Sequence, residues 1–176
     1  MQPLPTISNI DPLLVDAMDK QCRASPELAA VADRRDYYLY KPKLAAFLVA
    51  RDLDLTKAME MWKGWLEWRE TNKPFQTTFD QIKNEYYSGK VSILGRDKQG
   101  NIAITFKARR HHPKESSPQH ILQFIFYLLE KVEDRTINEG RFQIVFINDR
   151  EGVSMGNVDT GFLSMAKDLV VKIGRA

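Results

Sequence analysis

Apolar residues recur at helical spacing through the first half of the chain. Asp11-Pro12 sets an N-cap residue before a proline at the first helical position, and Ser25-Pro26 repeats the signal. Pro42 opens a third helix carrying Leu44, Phe47 and Leu48. Asp54 caps a fourth that runs to about Asn72, with Leu55, Ala58, Met59, Trp62, Trp65 and Leu66 at helical spacing, and Pro74 follows its end. A fifth starts near Thr78, uses Phe79, Ile82 and Tyr86, and stops at Gly89.

From Lys90 the pattern changes. Val91 to Leu94 reads as a short strand, and Gly95-Arg96-Asp97-Lys98-Gln99-Gly100 carries turn chemistry. Asn101 to Lys107 alternates, so Ile102, Ile104 and Phe106 share one face. After a polar loop, Arg109 to Ser116, Ser117-Pro118 opens a long helix with Ile121, Leu122, Ile125, Leu128, Leu129 and Val132. Gly140 separates it from Phe142-Gln143-Ile144-Val145-Phe146-Ile147, and Asp159 caps a last helix with Phe162, Leu163, Ala166, Leu169, Val170 and Ile173. Strand, helix and strand in this order predict a βαβ unit with parallel strands. The strand at 142–147 is apolar on both faces and is expected in the middle of a sheet covered on both sides. The chain nevertheless supplies at most three strands, so the expected sheet is unfinished, and the last helix ends at Gly174 where another parallel strand is expected. The fold class is α/β (α+β overall): a helical lobe at residues 1–89 and a partial mixed sheet at residues 90–176.

Composition narrows the partners. Of 176 residues, 43% are hydrophobic and 28% charged, which excludes global disorder. A net charge of +3 is too mild to argue for nucleic acid, and no nucleic-acid partner is expected. The one cysteine, Cys22, excludes an internal disulfide and suits a reducing compartment, so a cytoplasmic location is expected. Met1 to Asn9 lacks the charged-then-apolar pattern of a signal peptide. The longest apolar stretch, Ile121 to Leu129, is broken by Gln123 and is far short of the ~20 residues a membrane span needs. Membrane contact is therefore expected to be peripheral.

Candidate chemistry is sparse. There is no glycine-rich phosphate loop, nucleophile elbow or zinc-helix motif. Cys22 sits in a predicted helix without an anion-cradling loop and reads as a structural thiol. Asp149 and Glu151, at the carboxyl end of the apolar strand, are an acid/base or metal-binding pair or, more simply, turn residues that Gly152 accommodates. His111 and His112 are adjacent in an extended segment and point opposite ways, which does not favour chelation, and His120 lies well beyond them. Lys107, Arg109, Arg110, His111, His112 and Lys114 together form either an ordinary solvated loop or a basic patch for acidic lipid head groups. Trp62, Trp65 and Trp68 recur every three residues, as on an amphipathic membrane helix, though core packing explains them more simply. Phe124, Ile125 and Phe126 suit a helix between two layers or one flanking an apolar cavity. No metal and no cofactor are expected.

The order of these motifs carries a resemblance. Phe47-Leu48-Val49-Ala50-Arg51-Asp52-Leu53-Asp54-Leu55, then Ala58 to Arg69, resembles the helical lobe that precedes a CRAL-TRIO lipid-binding domain. Gly100 to Phe106, Phe126-Tyr127-Leu128-Leu129-Glu130 and Asp149-Arg150-Glu151-Gly152-Val153-Ser154 resemble the first half of that domain. Ser88-Gly89-Lys90, Ile93-Leu94, Ala108 to Pro113 and Gln119-His120 are similar to its form in a tyrosine phosphatase. The resemblance implies a non-catalytic module that binds a phospholipid or other hydrophobic molecule in an apolar cavity, with Ile104, Phe106, Phe124, Ile144 and Phe146 as lining. Arg51 and the basic loop are then head-group residues. It implies recruitment to acidic membranes or intracellular vesicles. A regulatory or interaction segment of a phosphatase without its own lipid is the alternative. The later strands, the gate helix and any phosphatase domain are not expected in this chain, and oligomeric state is left open.

Overall fold

The computed structural model describes residues 10–31, 34–136, 139 and 144–173, with backbone alone at 134 and 168–173. Gly140, Phe142, Gln143 and Gly174, and the side chains of Leu169, Val170 and Ile173, named above, lie outside what is described. Eight helices and three strands follow in chain order among the described residues: α1 Pro12–Ala24, α2 Pro26–Ala29, α3 Arg35–Tyr38, α4 Lys41–Val49, α5 Leu55–Asn72, α6 Phe79–Tyr87, β1 Val91–Arg96, β2 Ile102–Lys107, α7 Pro118–Thr136, β3 Ile144–Asp149 and α8 Thr160–Ile173.

The described chain forms two compact units. The first is built on the residues up to Lys73 and the second on Pro74–Thr136 and residues 144–170. Helix α6, grouped above with the N-terminal helices, packs on α7 and belongs to the second unit.

In the first unit the caps lie where local chemistry puts them. Asp11 accepts from the Leu13 N–H (2.9 Å) and Asp54 from the Lys57 N–H (3.1 Å). Met18, Cys22, Leu44, Leu48 and Trp62 are fully buried, and the Trp62 indole donates to the Tyr38 carbonyl at 3.1 Å. Trp65 is buried and stacks on Tyr37 with ring centroids 6.0 Å apart, while Trp68 is half-buried. The tryptophans are core, not a membrane stripe. Burial, with Asp19 adding to it, pushes the Cys22 thiol up to about 12. Between α4 and α5 the chain turns through two left-handed non-glycine residues, Asp52 (φ 53) and Leu53 (φ 64), as the Leu53 N–H reaches the Leu48 carbonyl (2.8 Å).

The second unit holds an open sheet in the order β1-β2-β3. β1 and β2 are antiparallel, and β2 and β3 are parallel, joined through α7 as the strand–helix–strand pattern predicts. The parallel register sets Ile104 beside Phe146 and Lys107 beside Asp149. Ile102, Ile104 and Phe106 pack with Ile121, Phe124, Leu128 and Val132 of α7 into one core. One expectation is overturned here. β2, not β3, is the central and most buried strand. β3 has a partner on one side only among the described residues, with Phe146 54% and Ile147 42% exposed. Its apolar faces need cover that the three strands and three helices described in this unit do not supply.

Candidate functional site

Parallel pairing brings the ends of β2 and β3 to the same side of the sheet, and the antiparallel β1 starts there too. Ligands of open α/β sheets bind beyond such strand ends. Lys90, Lys107 and Asp149 therefore gather at one end, together with the basic loop after β2. Between α6, Lys90 and this loop lies a polar cleft of about 380 Å³.

The floor of the cleft is a buried ion pair, Lys90 Nζ to Glu85 at 2.8 Å, both side chains almost wholly enclosed. Glu85 also accepts from the Ser116 hydroxyl, so the carboxylate ties α6 to the loop before α7. A pair this deep is held by mutual neutralisation, and removing one partner strands the other charge. Arg110 and His112, both exposed, form the rim with Asn84 of α6 and its C-cap Ser88. Gly89 (φ +64) lies directly beneath the Arg110 guanidinium, and a Cβ at Gly89 would collide with Nη1. Among the described residues Arg110 and Lys114 form no ion pair.

Arg109 faces the other way. Its guanidinium lies 3.2 Å from the Glu151 carboxylate and 3.8 Å from that of Asp149, and it donates to the Glu151 carbonyl at 3.3 Å. Asp149 accepts from the Glu151 N–H at 3.0 Å, and Gly152 takes φ +68. The two carboxylates are thus turn residues paired with an arginine 40 and 42 positions back along the chain. Among the described residues no His, Cys, Asp and Glu cluster could hold a metal.

His111 is placed differently from the other loop cations. It is 2% exposed, with its ring 6.3 Å from Phe106 and 6.0 Å from Phe162. Its Nε2 donates to Asp159 (3.1 Å), whose other carboxylate oxygen caps α8 through the Phe162 N–H (2.8 Å). Burial pushes the imidazole below its ordinary 6.5, against the opposing pull of Asp159. The Asn157 amide closes the same clamp by donating to the carbonyls of Arg109 (3.2 Å) and His111 (2.9 Å).

Of the expected head-group residues, Arg110 and His112 share the cleft with Arg109, whose charge goes to β3. Lys107 is half-buried, Lys114 is exposed, and Arg51 lies in the other unit, after α4, donating to the Ala50 carbonyl. Of the expected cavity residues, Ile104, Phe106 and Phe124 are closed into the core, with Ile144 half-buried against them and Phe146 exposed. Lys90, Glu85 and Ser116 went unrecognised in the sequence. A signal was there: Glu85 falls on the buried stripe of α6 with Ile82, and a carboxylate on such a stripe needs a cation nearby.

The fold and site define a ligand-binding α/β module with a cationic cleft beyond its strand ends. Residues 86–172 match the CRAL/TRIO domain, and this part of the chain belongs to that family of non-catalytic domains for lipophilic ligands. The chain is 34% identical over 119 residues to tyrosine-protein phosphatase non-receptor type 9 of Homo sapiens, and equally to that of Mus musculus. Each match covers 64% of this chain and 19% of the relative. Patellin-2 of Arabidopsis thaliana is 27% identical over 124 residues, 66% of this chain and 17% of its own. The chain thus spans about a fifth of the length of these relatives.

Proposed function

We propose that this chain is a lipid-binding module that recognises an amphiphile with an acidic head group, a phosphoinositide or another anionic phospholipid, and is recruited through it to cytoplasmic membranes or vesicles. The observation that carries the reading is the CRAL/TRIO match over the whole βαβ unit. The cationic cleft supports an acidic head group, because Arg110, which lines it, is a cation without a carboxylate partner among the described residues. The acyl part is best matched by the face shared by β2 and β3. Ile104 and Phe106 are already covered by α7, so the chain has to lie toward Ile144 and Phe146, the open end of that face. Burial there contributes about 0.8 kcal/mol per methylene. Among the described residues no helix is long and apolar enough to cross a membrane, which suits peripheral attachment.

Native mass spectrometry after incubation with phosphatidylserine or phosphoinositide vesicles tests the proposal. One phospholipid per chain is expected, and Phe146→Asp should abolish it. A chain that stays lipid-free under all of these conditions sinks the reading. One observation favours a second: the edge of β3 left open among the described residues, beside exposed Phe146 and Ile147, suits addition of a strand from another polypeptide, as an interaction segment needs.

A further inference from the structure

Helix α6 presents more than the wall of the cleft. Phe79, Lys83, Tyr86 and Tyr87 fall on one helical face. Phe79 is 41%, Tyr86 49% and Tyr87 75% exposed. Their rings form a ladder, with centroids 5.4 Å apart for Phe79 and Tyr86, 5.4 Å for Tyr86 and Tyr87, and 6.3 Å for Phe79 and Tyr87. Tyr86 rests in turn on the buried Phe124 of α7, 6.3 Å away, so the ladder stands on the core and is held outward. Three adjoining aromatic side chains left in water on a short helix are an unfavourable arrangement unless something covers them.

The surroundings favour one kind of cover. Asn84 of the same helix and Ser88 at its C-cap line the cationic cleft, so the aromatic face and the cleft are neighbouring sectors of α6. Around them stand Lys83, on the aromatic face itself, and Arg110 and His112 of the cleft. The opposing carboxylates are Asp80, 3.7 Å from Lys83, Glu115, and the buried Glu85, which Lys90 pairs. Tyrosine combines an apolar ring with a polar hydroxyl, which is why such rings settle at the boundary between head groups and hydrocarbon. Cations beside them meet the lipid phosphates. We propose that the Phe79–Tyr87 face of α6 is a membrane-docking surface, its rings entering the interface of an anionic bilayer while Arg110 reaches the head groups. This deepens the recruitment reading above by placing its membrane contact, but it does not depend on any lipid held inside the protein.

The test is co-sedimentation of the whole chain with phosphatidylcholine vesicles, with and without phosphatidylserine. Tyr87→Ala combined with Phe79→Ala should weaken binding to the mixed vesicles roughly tenfold, from the loss of about half-exposed ring area. Arg110→Ala should remove only the phosphatidylserine-dependent, salt-sensitive part. Wild-type affinity in the double variant overturns the proposal and leaves the face to a protein partner. If that variant fails to fold by circular dichroism, Tyr87→Trp decides: brominated lipid should quench its fluorescence beyond the wild-type level, and equal quenching overturns the proposal. The two readings fail separately. A chain that carries lipid in mass spectrometry but ignores vesicles sinks this surface alone. A lipid-free chain whose vesicle binding needs Phe79 and Tyr87 sinks the internal ligand alone.

Discussion

His111 brings a titratable ring into the core, and this sets a pH dependence. Its folded value lies below the ordinary 6.5, so the unfolded chain binds the proton first as pH falls. Stability is therefore complete above 6.5 and declines as pH drops from there toward the folded value. Urea midpoints taken from about pH 7 down to about pH 5 should show this decline, and His111→Gln should flatten it. Cys22 offers a second test. Burial pushes its thiol up to about 12, so iodoacetamide should leave it unmodified in the native chain and label it fully in denaturant. The burial of His111 was not legible in the sequence, where it stands among five cations. The one-turn helix Ala108–Arg110 re-aims the chain after β2, and a period-two reading carried through it gives the wrong side. Arg109 was misread for a related reason: its carboxylate partners lie 40 and 42 residues along the chain, and only the parallel register brings them close.

At the scale of elements, local chemistry was enough for most helices. Asp11, Asp54 and Asp159 cap where their side chains find free N–H groups, and the helices start there in the fold. The four-residue α3 escaped because so short a segment has no period to read. Strand order was the harder question. An apolar strand announces that it wants neighbours, but not which ones, and β2 rather than β3 obtained them on both sides. The exposed face of β3 then becomes a liability. Phe146→Lys should reduce self-association, measured by light scattering at increasing protein concentration, and change stability by no more than about 0.5 kcal/mol. The same substitution should prevent lipid uptake, which separates the two properties of one side chain.

At the scale of the molecule, the division into two compact units has a spectroscopic consequence. Trp62, Trp65 and Trp68 all lie in the first unit, so tryptophan fluorescence reports on that unit. Ile82 is fully buried in the core of the second. Ile82→Ala should cost about 2–5 kcal/mol there. The expected outcome is an earlier urea transition by circular dichroism with the fluorescence midpoint little changed. Coincident shifts in both signals would show that the units unfold as one.

The fit of Gly89 beneath Arg110 reaches beyond this one chain. An alanine at that glycine has to push the guanidinium aside, and the push is borne by the tip of a flexible side chain rather than by the backbone, while the left-handed turn adds its own cost. The two positions therefore form a lock and its key, 21 places apart, and a descendant that fills the lock should also have filed down the key.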